Sequence, residues 1–397
     1  MKIAFVVQRY GLEVQGGSES LCRSIAERMK KYFQVEVLTT CAVDYLTWKD
    51  YYPLGPVEIN GVLVRRFSTH LPRDMNRFNT FVRKRIANQK PSLPDQIEWM
   101  WLQGPLTFDL IRYLKEFREE YDLFIFFTYS YFTTYLGIQI VPDKSLLVPT
   151  AHDEPHLYLD IFKPIFHLPR AIIYNTEEEK RLVQRVFGNT HIPSEVVGSG
   201  VSELEDSGVE SFESPSITGP YILYIGRIDV MKGCKELLDY FIRYVEDTGR
   251  DIKLVLVGNN FMPIPKHPQI SHVGYVGQRA KYKLMEQARV LVNPSEYESL
   301  SLSVLESWSV GTPVLVNGCS EVLVGHCLRS QGGLYYTNYG EFSLCLDLLL
   351  SQPELRVKMG EYGRQYVRTN YAWDTVEEKY LKLITAVKSQ GVGDPGL

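Results

Sequence analysis

The stretch Asn293-Pro294-Ser295-Glu296-Tyr297-Glu298-Ser299-Leu300-Ser301-Leu302-Ser303-Val304-Leu305-Glu306 decides the fold. Ahead of it, Val290-Leu291-Val292 reads as an apolar strand, and Pro294 ends that strand because proline has no N–H for a sheet interior. Small hydroxyl residues follow. Ser299 or Ser301 is expected to cap a helix in which Leu302, Leu305 and Trp308 recur at helical spacing, until Gly311 and Pro313 end it. A strand passing through a tight loop into a helix leaves unpaired N–H groups at the helix start, where the positive end of the dipole also lies. Such a junction suits a phosphate. Glu298 stands at its edge, and seven residues separate Glu298 from Glu306. Like charge keeps both carboxylates off a phosphate, so hydroxyl groups of a sugar and of a ribose are their natural partners.

A second junction of the same kind precedes it. Tyr221-Ile222-Leu223-Tyr224-Ile225 reads as a strand, and Gly226-Arg227-Ile228-Asp229-Val230-Met231-Lys232-Gly233 as the loop into a helix with Leu237, Leu238 and Phe241 on its apolar face. Arg227 can grip a phosphate with two parallel bonds and Lys232 acts as a point charge, so together they read as a diphosphate clamp. Further strands are expected at residues 252–257, 270–274 and 313–316.

The first half alternates in the same way. Lys2-Ile3-Ala4-Phe5-Val6-Val7 is continuously apolar, as in a parallel strand covered on both faces, and a loop ending in Gly16-Gly17-Ser18-Glu19 follows it. Strands are expected at 35–39, 122–127, 145–150, 171–175 and 194–198, with an Asn60-Gly61 hairpin turn inside 57–64. The run 145–150 leads into Ala151-His152-Asp153-Glu154. In open α/β sheets ligands gather at the carboxyl ends of strands, which places His152 and Asp153 where chemistry would occur. The plainer alternative is that one of them caps the helix after Pro155. Thr176 with Glu179 reads as a capping box. Residues 73–101 mix Arg73, Arg77, Arg83, Lys84, Arg85 and Lys90 with Met75, Phe78, Phe81, Trp99 and Trp101. A basic, aromatic-bearing helix suits an anionic membrane or a phosphate-bearing lipid, and equally a solvated face with an apolar back.

The totals bound the answer. At 397 residues, two α/β domains are expected, with the acidic, Ser- and Gly-rich residues 201–220 as linker between 1–200 and 221–372. Hydrophobic residues make up 45% and charged residues 23%, which describes a globular chain and excludes a disordered one. A net charge of −4 and a pI near 6.1 argue against nucleic acid as partner. No run of roughly 18 apolar residues exists to span a membrane. The six cysteines form no CxxC pair, so they are expected as small buried hydrophobes in a reducing cytoplasm.

Glu298 and Glu306 with seven residues between them, preceded by Asn293-Pro294-Ser295 and followed by Gly311-Thr312-Pro313-Val314, resemble the retaining family 4 glycosyltransferases of GT-B fold. The resemblance is specific over residues 221–318 and looser before residue 150. It implies two Rossmann-like domains facing a central cleft, with the last helix, 373–390, packed back on the first domain. It implies a nucleotide-diphosphate sugar as donor and a saccharide or lipid-linked acceptor, in cell-envelope or exopolysaccharide synthesis. Gly16 and Gly17 would face donor and acceptor, Arg227 and Lys232 the diphosphate, Val276 with its neighbours Tyr275 and Gly277 the base. Ser299, Leu300, Ser301 and Leu302 would line the helix start, Glu298 would orient the sugar, Glu306 the ribose, and His152 would lie beside the sugar. Asp153 is the candidate base. No metal or other cofactor is implied, and no Asp-x-Asp is present. Rival readings are a GT-B sugar-nucleotide epimerase and a non-catalytic sugar-nucleotide-binding protein.

Overall fold

The computed structural model describes residues 1–14, 16–87, 90–201 and 217–390. The chain divides into two compact units: Met1–Ser199 together with the chain from Glu377 on, and Gly200–Val376. Of the expected linker, residues 202–216 lie outside the described residues. At its near end the Val201 N–H bonds the Tyr371 carbonyl at 2.9 Å.

Unit 1 is built on eight strands: β1 (Lys2–Val6), β2 (Gln34–Thr40), β3 (Gly55–Ile59), β4 (Val62–Phe67), β5 (Leu123–Phe127), β6 (Ser145–Val148), β7 (Ala171–Tyr174) and β8 (Ser194–Val196). Their order across the sheet is β3-β4-β2-β1-β5-β6-β7-β8. All pairs are parallel except β3 with β4, the hairpin joined by Asn60 (φ 48°) and Gly61 (φ 74°). Both positive angles belong to the turn whose twist matches its strands. The chain leaves β1 for β2 on one side and returns to β5 on the other, so the order reverses between β1 and β5. Ala4 and Val6 enter one core with Phe124, Phe126 and Leu147, while Ile3 and Phe5 are buried on the opposite face.

Unit 2 has six parallel strands: β9 (Tyr221–Ile225), β10 (Lys253–Val257), β11 (Ile270–Gly274), β12 (Val290–Asn293), β13 (Val314–Asn317) and β14 (Gly333–Tyr336). Their order is β11-β10-β9-β12-β13-β14, the doubly wound arrangement whose reversal lies between β9 and β12. Tyr221 and Leu223 pack into one core and Ile222 and Tyr224 into the other, so this sheet is covered on both faces.

The helix Trp373–Gln390 begins in unit 2 and continues in unit 1. Within unit 1, Glu377 is 3% exposed, and its carboxylate receives Tyr32 Oη at 2.7 Å and Lys31 Nζ at 3.1 Å. Arg170 donates to the Val387 carbonyl at 3.0 Å, which holds the far turn of the same helix.

Two sequence expectations are corrected here. The basic stretch is not one helix: Met75–Phe81 runs into a π-helical turn at Val82–Ile86, and a separate helix, Leu93–Gln103, opens on a capping box of Ser92 and Asp95. Trp99 and Met100 of that helix are buried, so only Trp101 of the three stands out, half exposed. Cysteines 22, 41, 234 and 327 are buried as expected, but Cys319 is exposed and Cys345 half-buried.

Candidate functional site

In unit 2 the loops that follow β9 and β12 sit at the strand-order reversal, where a doubly wound sheet leaves a crevice. Gly226 (φ 151°) turns the chain out of β9, and its carbonyl lies 2.0 Å from where a Cβ on Gly258 would stand. Asp229 organises the loop. Its Oδ1 accepts the Lys232 N–H at 2.9 Å, and its Oδ2 pairs with Arg227 Nε. Gly233 (φ 73°) then presses on the second loop, for a Cβ there would be 2.1 Å from the Pro294 carbonyl oxygen. Only glycine satisfies both the left-handed backbone and that contact. The close approach lets Lys232 cross to the other loop, where Nζ reaches Glu298 Oε1 at 2.8 Å and the Tyr297 carbonyl at 3.4 Å.

The β12 loop is braced by asparagines. Asn293 Oδ1 accepts the Ser295 N–H and Asn293 Nδ2 donates to Ser301 Oγ at 2.8 Å, while Asn317 Nδ2 donates to the Pro294 carbonyl at 2.9 Å. Ser301 precedes the helix Leu302–Ser309 but does not cap it with its side chain, contrary to expectation. Its φ is 66°, a left-handed conformation worth roughly 1–2 kcal/mol of strain in a residue other than glycine, and the Asn293 bond holds it there. Leu300 is buried, and its carbonyl receives His326 Nε2 at 3.0 Å; Ser299 and Leu302 are half-buried on either side of that anchor. Glu306, one turn into the helix, meets Lys281 Nζ at 2.6 Å from the helix Gln278–Gln287. Val276 packs against the core beneath β11, and Tyr275 beside it is exposed. Each carboxylate of the motif is thus held by a lysine. Pairing of this kind stabilises little at a surface, but here it fixes two charged groups in orientation.

In unit 1 the loop after β1 is built round Glu19. Its carboxylate, 5% exposed, accepts Gln8 Nε2 and Arg9 Nε, both at 2.9 Å. A Cβ on Gly16 would lie 2.1 Å from Glu19 Oε2, so Gly16 is glycine to let that carboxylate turn under the loop. Gly17 is different. A Cβ there would meet nothing within 4 Å, so the protein's own packing does not require the missing side chain.

The carboxyl ends of β6 and β7 gather a cluster that the sequence only half revealed. Glu154 Oε1 is approached by His156 Nε2 at 2.9 Å, Tyr129 Oη at 3.1 Å and His152 Nδ1 at 3.3 Å. Burial raises the Glu154 pKa, but the two imidazoles outweigh it and hold this carboxyl well below the usual range. An ionised carboxylate at Nδ1 selects the His152 tautomer with its proton there. Asp153 is more than half exposed, and its carboxylate is held instead by Tyr158 Oη at 2.6 Å and Arg185 at 3.3 Å. Neither His152 nor Asp153 caps the short turn Pro155–Tyr158.

Glu179 lies beneath this cluster. Thr176 Oγ1 accepts its N–H as the capping box requires, yet its carboxylate, 1% exposed, reaches the Ala151 N–H and the Asn175 N–H, both at 2.6 Å. It therefore ties the end of β6 to the end of β7, beside His152. Burial pushes its pKa up to about 7, against the lowering effect of the two N–H groups and of His152. Sequence reading also missed Lys281, Asp229, Glu154 and His156. Lys281 pairs with Glu306 across 25 residues, which no local pattern reveals, whereas Asp229 and the Glu154–His156 pair act within two or three residues and lie inside stretches already singled out in the sequence.

Comparisons with known proteins agree with this architecture. Residues 210–366 match the family model described as glycosyl transferases group 1, the coarser family to which the resemblance read from the motifs points. An uncharacterized glycosyltransferase of Methanocaldococcus jannaschii is 25% identical over 169 residues, 40% of this chain and 43% of that protein. The chain thus spans less than half the length of that curated relative. Sucrose-phosphate synthase from Thermosynechococcus elongatus superposes with a TM-score of 0.70 at 16% identity, covering 98% of this chain and 99% of that one. Anabaena HepE in complex with UDP-glucose gives 0.71 at 13% identity, covering 97% and 100%. The fold is that of the GT-B glycosyltransferases.

Proposed function

We propose that this chain is a retaining glycosyltransferase that moves a sugar from a nucleotide-diphosphate sugar to a saccharide or lipid-linked acceptor. The observation that carries the reading is Lys232 set against Glu298 across the reversal of the unit 2 sheet, with the Leu302–Ser309 helix start beside them. A diphosphate at that helix start would draw Lys232 and Arg227 as counter-charges, and Glu298, released from the lysine, would accept hydroxyls of the sugar. Glu306 would hold the ribose, and the backbone at Tyr275, Val276 and Gly277 the base. HepE, of similar fold, was solved with UDP-glucose, which makes a UDP-sugar the first donor to try.

Retention is assigned to a front-face displacement. The bond from the anomeric carbon to the diphosphate oxygen breaks, the bond to the acceptor oxygen forms on the same face, and the acceptor proton passes to the leaving phosphate. No side chain is then required as nucleophile. Arg227 and Lys232 neutralise the charge that develops on the diphosphate, in a reaction we take to be independent of metal. His152, oriented by Glu154, is assigned to the sugar; Asp153 has the weaker claim because Tyr158 and Arg185 engage it.

Envelope polysaccharide synthesis at the inner face of the cell membrane is the setting we favour. Arg77 and Arg85 are matched by Glu98 and Asp95 at 3.7 and 3.9 Å, whereas Arg83 and Lys84 have no ion pair among the described residues and Trp101 is half exposed. No described helix is long and apolar enough to cross a membrane. Sedimentation with phosphatidylglycerol vesicles should fall as salt is raised if this face docks.

The decisive test is a thermal-shift panel of UDP, GDP, ADP and dTDP, each against its monophosphate. A ligand that binds only the folded chain raises the melting temperature by mass action. A rise with one diphosphate, larger than with its monophosphate and absent in Lys232→Ala, is expected. No rise with any of the four would remove the reading.

A further inference from the structure

The strand order of unit 1 also reverses, between β1 and β5, and the groups at that reversal are not those the transfer chemistry of unit 2 uses. Arg9 follows β1, Asp44 and Trp48 follow β2, Arg73 follows β4, and Tyr131 follows β5. Trp48 and Tyr131 meet edge to face with centroids 5.4 Å apart, and the Arg73 guanidinium lies 5.4 Å from the Trp48 ring and 4.9 Å from that of Phe78. These contacts make one continuous patch at the carboxyl edge of the sheet.

The two arginines in it are treated differently by the protein. Arg9 is neutralised by Glu19. Arg73 donates Nε to the Leu46 carbonyl at 3.3 Å and Nη1 to the Gln103 carbonyl and side chain at 3.1 and 2.8 Å, and it forms no ion pair with a carboxylate among the described residues. Its Nη2 has no acceptor among them. Asp44, the carboxylate of the neighbouring loop, is engaged by the Leu46 and Thr47 N–H groups, both at 2.8 Å, and by the Thr47 hydroxyl at 2.5 Å. Desolvation accordingly lowers the Arg73 pKa, and the groups that counter it most are Tyr131, Tyr45 and Asp44. Tyr131 is a second unspent donor. Its hydroxyl has no hydrogen-bond partner among the described residues, and burial pushes its pKa up to about 12, so it keeps its proton at neutral pH.

A guanidinium half withdrawn from water, pinned by carbonyls and left without a counter-ion, is an uncompensated charge that a protein retains at a cost. An oxyanion supplies what is missing, because one oxygen can face the guanidinium while another accepts a phenol O–H. We propose that Arg73 and Tyr131 form the anion-binding end of the acceptor site, and that the acceptor carries a phosphate ester or a carboxylate. The word acceptor rests on the transferase reading above; the anion site itself does not.

The experiment uses the full-length chain and follows melting temperature in inorganic phosphate, glucose 6-phosphate and glucuronate, each against sodium chloride at equal ionic strength and against glucose. The wild type should melt higher with at least one oxyanion than with chloride or glucose. Phosphate against glucuronate tells which anion is preferred. Tyr131→Phe, which removes only an oxygen, should weaken that affinity about tenfold, as expected for a hydrogen bond to a charged group. Arg73→Gln should abolish the response while the shift given by whichever nucleoside diphosphate the wild type binds persists. Should Arg73→Gln not fold, Tyr131→Phe alone decides. A wild type that does not distinguish these oxyanions from chloride overturns the proposal, and so does an undiminished response in Tyr131→Phe. A wild type that responds to none of UDP, GDP, ADP and dTDP would instead count against the transferase reading, leaving the oxyanion response to judge the site.

Discussion

The carboxyl edges of the two sheets hold their charged groups in different ways. In unit 2 the candidate site residues sit beside opposite charges: Lys232 with Glu298, Lys281 with Glu306, Arg227 with Asp229. In unit 1, Arg73 meets no carboxylate among the described residues, His152 and His156 crowd one oxygen of Glu154, and Glu179 sits in the core with its pKa near neutrality. Paired charges hold a geometry until a ligand exchanges for one partner. Unpaired or shared ones mark where the structure is incomplete without something else. On the function proposed above, the first arrangement serves the donor and the second the acceptor.

The largest effect that would break this contrast is at Lys232. Lys232→Ala should lower kcat/KM with the true donor on the order of 100- to 1000-fold, the loss typical of removing one stabiliser of a developing anion, read by nucleotide release. A drop of less than about threefold would mean that the lysine serves only its ion pair with Glu298.

Glu179 tests the other side. Its folded pKa of about 7 lies above its ordinary 4.5, so the folded chain binds the proton more tightly than the unfolded one. Its contribution is therefore full below pH 4.5 and is lost as pH rises through 7, about 3 kcal/mol across that window at 1.36 kcal/mol per unit. Denaturant unfolding at several pH values should show that decline, and Glu179→Gln should flatten it. The same variant should cost about 1–3 kcal/mol at low pH, because its amide cannot accept from both the Ala151 and Asn175 N–H groups.

Gly233→Ala examines how the unit 2 loops are pressed together. The left-handed backbone alone costs about 1–2 kcal/mol and the contact with the Pro294 carbonyl adds to it, so melting temperature and nucleotide affinity should fall together. The smallest change expected is at Glu306. Glu306→Gln keeps a partner for the ribose hydroxyls but loses the charge, raising the donor KM about five- to tenfold with kcat nearly unchanged.

What could be read from the chain alone follows from the range of the interactions. The strands of unit 2, the glycines of the 226–233 loop, and the pair Glu298 and Glu306 are local facts: apolar runs, turn residues and spacing along one segment. The same holds for the Asn60-Gly61 hairpin. Where local signals competed, reading erred. Ser301 has the composition of a cap, but the Asn293 side chain captures its hydroxyl. Glu179 stands where a capping box would place it, but its carboxylate is drawn to two N–H groups, one of them 28 residues away. Trp99 looked available to a membrane until Phe162 and His156 were found packed on it.

The amino-acid sequence by itself determined that this is a doubly wound α/β chain with a strand–loop–helix junction at residues 293–306, because period, proline and glycine act on their immediate neighbours. Only the tertiary structure decided which charges are paired and which are left over. That Lys232 meets Glu298, that Lys281 meets Glu306, and that Arg73 meets no carboxylate among the described residues all depend on strand order and burial. Those set distance and dielectric, and no stretch of sequence carries either.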